Sequence, residues 1–208
     1  MLIQKSVKEY LAESASSSPA PGGGSASALA GAIGASLAEM VINLTVGKKK
    51  YVEVTQELSA LLPILAKLRS ELEASIDKDS EAFNQVMAAF GLPKETEEQQ
   101  TIRKAAIRDA TLKATEVPLN VMETALQALE VTLTVAEKGN VNSASDAGVA
   151  GLLLVAAIDG AALNVRINLS GLANHPFAEH AAQRLREINK KRDELFAAIQ
   201  TDVAKNIS

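Results

Sequence analysis

An all-α bundle of five or six helices is the fold this sequence predicts. Three observations lead to it. Apolar residues recur at three- and four-residue spacing in segment after segment, and no segment alternates strictly with period two. Hydrophobic residues fill 47% of the 208 positions but aromatics only 3%, so Ala, Leu and Val must build the core, and Ala and Leu favour helix. Two stretches are long, nearly uncharged and rich in small residues, as the central helices of a bundle are.

In chain order, Lys5 to Ser14 reads as a short amphipathic helix, and the N-terminus lacks the apolar run of a secretory leader. Ser14 to Gly24 is a Ser/Pro/Gly-rich loop. The first central helix starts near Gly24 or Ser25 and runs to about Thr45. Its Ala28, Gly31, Ala32, Ala35 and Ala38 form a smooth face that another helix can approach closely. Gly47 to Tyr51 makes a basic turn. A long helix follows, with Leu58, Leu61, Leu62, Leu65, Leu68, Leu72 and Ile76 in a 3.5-residue rhythm. Pro63 is expected to bend that helix or mark its true start, and Gly91-Leu92-Pro93 to end it. Thr96 to Lys138 reads as one helix interrupted by Pro118, which leaves the Ala114 carbonyl without its usual amide partner. After a loop from Gly139 to Ser143, Ser143 or Ser145 is expected to cap the second central helix, which runs to about Leu169. Asn174 is expected to cap a last helix whose apolar face holds Ala178, Ala181, Leu185, Ile188, Leu195 and Ile199. No repeat or linker divides the chain, so residues 1–208 are expected to form one domain.

Composition narrows the function. A net charge of -4 without a long basic run disfavours nucleic-acid binding, which needs clustered Lys or Arg. The absence of cysteine removes disulfides, thiolate catalysis and Cys-based zinc sites, and it fits a reducing, cytoplasmic setting. The stretches from about Ser25 to Gly47 and Ala147 to Val165 resemble membrane spans superficially. They carry Glu39 and Asp159, however, and are read as helices buried on all sides of a bundle, with no membrane partner. His175 and His180 are five residues apart, the wrong spacing for adjacent ligands on a helix, so no metal site is expected.

Four polar constellations remain. In Pro19-Ala20-Pro21-Gly22-Gly23-Gly24-Ser25 the glycines open the backbone to a ligand. The following helix N-terminus is a natural seat for a carboxylate or phosphate. Gly47-Lys48-Lys49-Lys50-Tyr51 follows the C-terminal end of the same helix, where its dipole favours cations. Asp79 lies on one helix face with Phe83, and if that face is buried it needs a partner or a ligand. Gly139-Asn140-Val141-Asn142-Ser143-Ala144-Ser145-Asp146 opens the second, nearly uncharged helix, whose N-terminus favours an ionised Asp146. Asn164 and Asn168, one turn apart near the other end of that helix, require hydrogen-bond partners. Asp146 and Asn164 share a face but stand about 27 Å apart along a straight helix. They therefore hold opposite ends of a long ligand, or one of them serves elsewhere, as in a partner chain.

Taken together, these residues resemble the cyclodeaminase/cyclohydrolase family of folate metabolism. The resemblance spans nearly the whole chain. It rests on Pro19 to Gly24, Leu44 to Tyr51, Asp79 with Ala82-Phe83, Gly91 to Lys94, Val117-Pro118-Leu119, Gly139-Asn140 with Ser145-Asp146, and Asn164-Val165 with Asn168. It implies one of two reactions. A methenyltetrahydrofolate cyclohydrolase adds water to the methenyl carbon and opens it to 10-formyltetrahydrofolate; a formiminotetrahydrofolate cyclodeaminase closes the formimino group with loss of ammonia. The animal-type deaminase is fused to a formiminotransferase domain and tends to carry arginines where Lys48 and Lys49 stand, so the cyclohydrolase is the expected activity. A non-catalytic folate-binding helical module is the third reading.

On this resemblance the catalytic residues are Lys48, as acid/base, with Asp79 and Asp146, one on the pterin and one near the reacting carbon. Which carboxylate does which is open. Gly23, Gly24, Ser25, Tyr51, Asn140, Asn142 and Asn164 line the substrate, with Lys49 on its glutamate tail. A tetrahydrofolate derivative is the substrate and no tightly bound cofactor is implied, because the methenyl carbon is already a cationic electrophile. The small-residue face suggests a homodimer with close helix contacts.

Overall fold

The computed structural model describes residues 1–173 and 175–207, and among them helix is the only regular secondary structure. Six α-helices follow in order: α1 (Val7–Ser14), α2 (Gly23–Asn43), α3 (Val52–Phe90), α4 (Glu97–Lys138), α5 (Ala144–Leu169) and α6 (Pro176–Ile207). The all-α expectation holds. Helices α2 to α5 pack on one another, and α6 closes the side of α4 and α5. A 3-10 turn at Leu2–Gln4 lies against α3, where the amides of Leu2 and Ile3 donate to the Asp77 carboxylate. Capping boxes start two helices, Ser6 with Glu9 on α1 and Thr96 with Gln99 on α4.

The two nearly uncharged helices, α2 and α5, run antiparallel at the centre. Ala28, Gly31, Ala32, Ala35 and Ala38 of α2 are all buried. A Cβ on Gly31 would come within 3.2 Å of the Ala157 Cβ, and one on Gly34 within 2.9 Å of Leu154. The small residues therefore set the distance between α2 and α5. The two helices are not buried on all sides, contrary to the sequence reading. Ile33 and Met40 on α2 and Val149, Leu152, Leu163 and Ile167 on α5 are exposed. Each helix has neighbours on its inner face only, so a three- and four-residue stripe of apolar side chains is left outside. Both remain long and apolar enough to cross a membrane by composition, with 56% and 44% of the relevant windows buried in the fold.

The prolines act differently from one another. Helix α3 begins at Val52 and runs on through Pro63, which neither starts nor ends it. Pro118 lies within α4, and the Ala114 carbonyl accepts a 2.8 Å hydrogen bond from the Asn168 side chain of α5. The orphaned acceptor and the buried-stretch asparagine are thus each other's partner. Asn168→Ala is expected to destabilise the fold by about 1–3 kcal/mol, the range for stranding a buried polar group. In a Pro118→Ala background the restored amide takes over the carbonyl, and the same substitution should do much less. Urea unfolding of the four variants measures this coupling.

Ser143 occupies the position before α5, yet its hydroxyl makes no capping bond. Asn140 caps the preceding 3-10 turn instead, accepting from the Asn142 amide. The expected Asn174 cap lies outside the described residues. On α6, Ala181, Leu185, Ile188, Leu195 and Ile199 are buried as their spacing requires.

Candidate active site

Two polar clusters stand at opposite ends of α2. At its N-terminus the seat expected to take a ligand's carboxylate is filled by the protein's own. The Ser25 amide donates to Asp79 Oδ2 at 2.9 Å, bridging α2 and α3. The Ser25 hydroxyl is fully buried and donates to the Ile76 carbonyl at 2.6 Å, with Ser80 Oγ 3.1 Å away. This contact also explains Gly24. A Cβ there would stand 2.0 to 2.7 Å from the three carboxyl atoms of Asp79, whereas a Cβ on Gly23 would meet only Asn164 Nδ2 at 3.6 Å. Gly24 is thus required by the approach of Asp79 itself, and not only by access for a ligand.

Burial holds the Asp79 carboxyl above its ordinary value of 3.8, while the hydrogen bonds from Ser25 pull the other way. Among the described residues no donor reaches its Oδ1. Asn164 stands close by, its Nδ2 donating to the Gly160 carbonyl at 2.9 Å. A carboxylate with one oxygen anchored and the other free can accept an N–H of a ligand or a proton from water.

Gly24→Ala should displace Asp79 and lower kcat by about 100-fold, the scale of one catalytic acid/base group. Stability should move by less than about 1 kcal/mol, because alanine also favours the helix. Gly23→Ala should keep the Asp79 seat. Steady-state kinetics beside a thermal melt separates the two.

Tyr10, the one buried residue of α1, was not singled out by its sequence context. Its hydroxyl is buried with no hydrogen-bond partner among the described residues. Burial raises its pKa, and the negative charge of Asp79 adds to the effect. The only local signal was a tyrosine on a short amphipathic helix leading into the glycine loop.

The second cluster surrounds the exit of α2. Gly47, at φ 79°, adopts the left-handed turn that glycine allows. Lys48 and Lys49 are exposed. Lys50 Nζ lies 5.4 Å from the centre of the Tyr51 ring. The Tyr51 hydroxyl accepts from the Val141 amide at 3.1 Å and contacts Asn140 Oδ1 at 3.3 Å. Asn140 is buried; its amide donates to Thr45 Oγ1 and its side-chain nitrogen to the Leu44 carbonyl. Asn140 therefore ties the turn after α2 to the turn before α5, with both ends of its side chain engaged by protein. Asn142 is exposed and Asp146 half-buried in the first turn of α5.

The chain thus does not gather the sequence-derived catalytic set. Asp79 stands with Gly23, Gly24, Ser25 and Asn164. Lys48 stands with Lys49, Tyr51, Asn140, Asn142 and Asp146. The 21 residues of α2 separate the groups by about 30 Å. Among the described residues no group of three or more His, Cys, Asp or Glu is placed to hold a metal ion.

Residues 6–187 match the family described as formiminotransferase-cyclodeaminase. The chain belongs to that family. Among its relatives, a methenyltetrahydrofolate cyclohydrolase of Methylorubrum extorquens is 47% identical over 188 residues, covering 90% of this chain and 89% of that protein. The formimidoyltransferase-cyclodeaminase of Rattus norvegicus is 33% identical over 184 residues, and the match spans 34% of that longer protein. The crystal structure of a formiminotetrahydrofolate cyclodeaminase from Thermotoga maritima superposes with a TM-score of 0.90 at 28% identity, covering all of both chains. The family resemblance read from the motifs and the all-α fold agree with these matches.

Proposed function

We propose that this protein is a cytoplasmic 5,10-methenyltetrahydrofolate cyclohydrolase that works as a homodimer. The observation that carries the activity is the 47% identity, along nearly the full length of both chains, to a protein of that name. Identity to the bifunctional cyclodeaminases is lower. In the reaction, water adds to the cationic methenyl carbon and loses a proton to a base. The tetrahedral intermediate then expels N5, leaving the formyl group on N10. The substrate supplies the electrophile, so the protein's task is to place water, take a proton and guide the departing nitrogen.

Asp79, anchored through one oxygen and free at the other, is the carboxylate at the reacting end, and Asn164 binds beside it. Lys48 is the acid/base, and Asp146 and Asn142 hold the remainder of the ligand, with Lys49 toward its tail. The two groups lie at opposite ends of α2, so they meet between chains. A two-fold axis crossing the middle of the outer α2/α5 face turns the partner end for end. It brings the partner's Lys48 and the partner's Asp146 toward Asp79. The exposed stripe of Ile33, Met40, Val149, Leu152, Leu163 and Ile167 supports this face as the contact. Sedimentation at low micromolar concentration tests the dimer: a single species of twice the chain mass is expected, and a clean monomer would remove the shared site.

One observation favours the cyclodeaminase as a second reading, namely the full-length superposition on the Thermotoga protein of that name. Ammonia release from 5-formiminotetrahydrofolate, with appearance of the methenyl chromophore, would select it.

A further inference from the structure

Three buried side-chain polar atoms have no hydrogen-bond partner among the described residues. Two lie together on α6, Asn189 Oδ1 and Arg192 Nε, and the Arg192 guanidinium still has its ion pairs with Asp159 and Asp193. The third is the Tyr10 hydroxyl, and it stands on the segment that leads to the Asp79 seat.

Two anchors on α3 place that segment. The amides of Leu2 and Ile3 donate to the Asp77 carboxylate. The Ser25 amide donates to Asp79, and the Ser25 hydroxyl to the Ile76 carbonyl. The chain thus leaves α3 and returns to it within one helical turn. From Gln4 to Gly22, only Tyr10 and Pro21 are buried. Tyr10 is 8% exposed, and its ring joins the main hydrophobic core. Burial is the largest influence on its phenol; Ser14 opposes it, and the charge of Asp79 adds to it. Ser14 donates its own proton to the Tyr10 carbonyl at 2.9 Å and makes no hydrogen bond with the phenol.

A phenylalanine would bury the same ring without stranding a hydroxyl. Native interiors leave few groups in that state. Asp79 has the complementary lack, because its Oδ2 takes the Ser25 bonds and no described donor reaches its Oδ1. The two groups do not bond one another. One oxygen that accepts from the phenol and donates to the carboxylate satisfies both. Water is such an oxygen, and it is the nucleophile of the reaction proposed above.

We propose that Tyr10 is a further catalytic residue, whose hydroxyl donates a hydrogen bond to the water that adds to the methenyl carbon while Asp79 accepts that water's proton. The proposal rests on the cyclohydrolase reading and adds a donor at the Asp79 end. As the new C–O bond forms, the carbon–nitrogen π pair moves onto nitrogen and one water proton goes to Asp79. The second water proton passes to N5 as the C–N5 bond breaks and the formyl carbonyl forms. Tyr10 gives up no proton. It holds the oxygen in line and stabilises the negative charge that grows there as the proton leaves. Burial keeps the phenol protonated, so it remains a donor throughout.

The test compares wild type with Tyr10→Phe in steady-state turnover of methenyltetrahydrofolate above an enzyme-free blank, beside a thermal melt of each protein. The variant should lose about 100-fold in kcat, the scale of one donor aimed at a developing oxyanion, with KM little changed. Its melting temperature should equal or exceed that of wild type, because the substitution removes a stranded hydroxyl and keeps the ring. Unchanged kcat in Tyr10→Phe would overturn the inference and leave the folate reading standing. A lowered melting temperature together with lost activity would also overturn it, since the hydroxyl would then be a structural partner. A raised KM at constant kcat would make Tyr10 a binding contact only and would overturn the catalytic role. If wild type itself fails to speed loss of the methenyl chromophore, the cyclohydrolase reading fails first and the inference falls with it.

Discussion

Asp79→Asn should lower kcat by about 100- to 10,000-fold, the range for removing a positioned acid/base group, and leave the protein at least as stable as the wild type at neutral pH. The two effects have one cause. The asparagine retains an acceptor for the Ser25 amide, so the link between α2 and α3 survives. It cannot take a proton from water. It also removes a charge that burial disfavours, since burial is the main influence raising the Asp79 carboxyl above 3.8. The native state then holds this proton more tightly than the unfolded chain does. The ionised group therefore destabilises the fold at pH values above its raised pKa, and this penalty fades as pH falls through that value toward 3.8. The stability gain of Asp79→Asn should follow the same course, present at neutral pH and vanishing in acid. In wild type the acid limb of kcat/KM should lie above the ordinary carboxylate range. Activity lost together with stability would mean that Asp79 is a structural strut.

The second large effect is complementation between two inactive proteins. Lys48→Met alone should reduce kcat by about 100-fold or more while folate still binds. Mixed and exchanged one to one with Asp79→Asn, it should regain about a quarter of wild-type activity. Half of the dimers are then mixed, and in each of these one of two equivalent sites carries both native residues. The two substitutions made on the same chain should show no such recovery with themselves. A site contained within one chain would give no recovery in any mixture, and the 30 Å between the clusters would then need another explanation.

Much of the fold could be read from residue spacing because helix packing is written locally. The Ala/Gly face of α2, the leucine rhythm of α3 and the uncharged run of α5 each state which side faces inward. Pro118 and Asn168 were each legible as a group lacking a partner, but not as partners of one another. Their hydrogen bond joins residues 54 positions apart, and nothing in either neighbourhood encodes that distance. The same separation hid the meeting of Asp79 and Ser25. The sequence offers a helix N-terminus suited to an anion; only the fold shows that the anion is Asp79. The outer face of α2 and α5 was misjudged because apolar character alone does not distinguish a buried face from an exposed one. The split of the site was partly foreseeable, since the rise per residue already kept Asp146 and Asn164 apart on one straight helix.

The most direct measurement follows the methenyl chromophore in the ultraviolet with purified protein, against an enzyme-free blank because methenyltetrahydrofolate hydrolyses unaided. One reaction starts from methenyltetrahydrofolate and a second from 5-formiminotetrahydrofolate. Under the cyclohydrolase reading the chromophore is lost faster in the first and does not change in the second. Appearance of the chromophore with ammonia in the second, or no acceleration in the first, would contradict it.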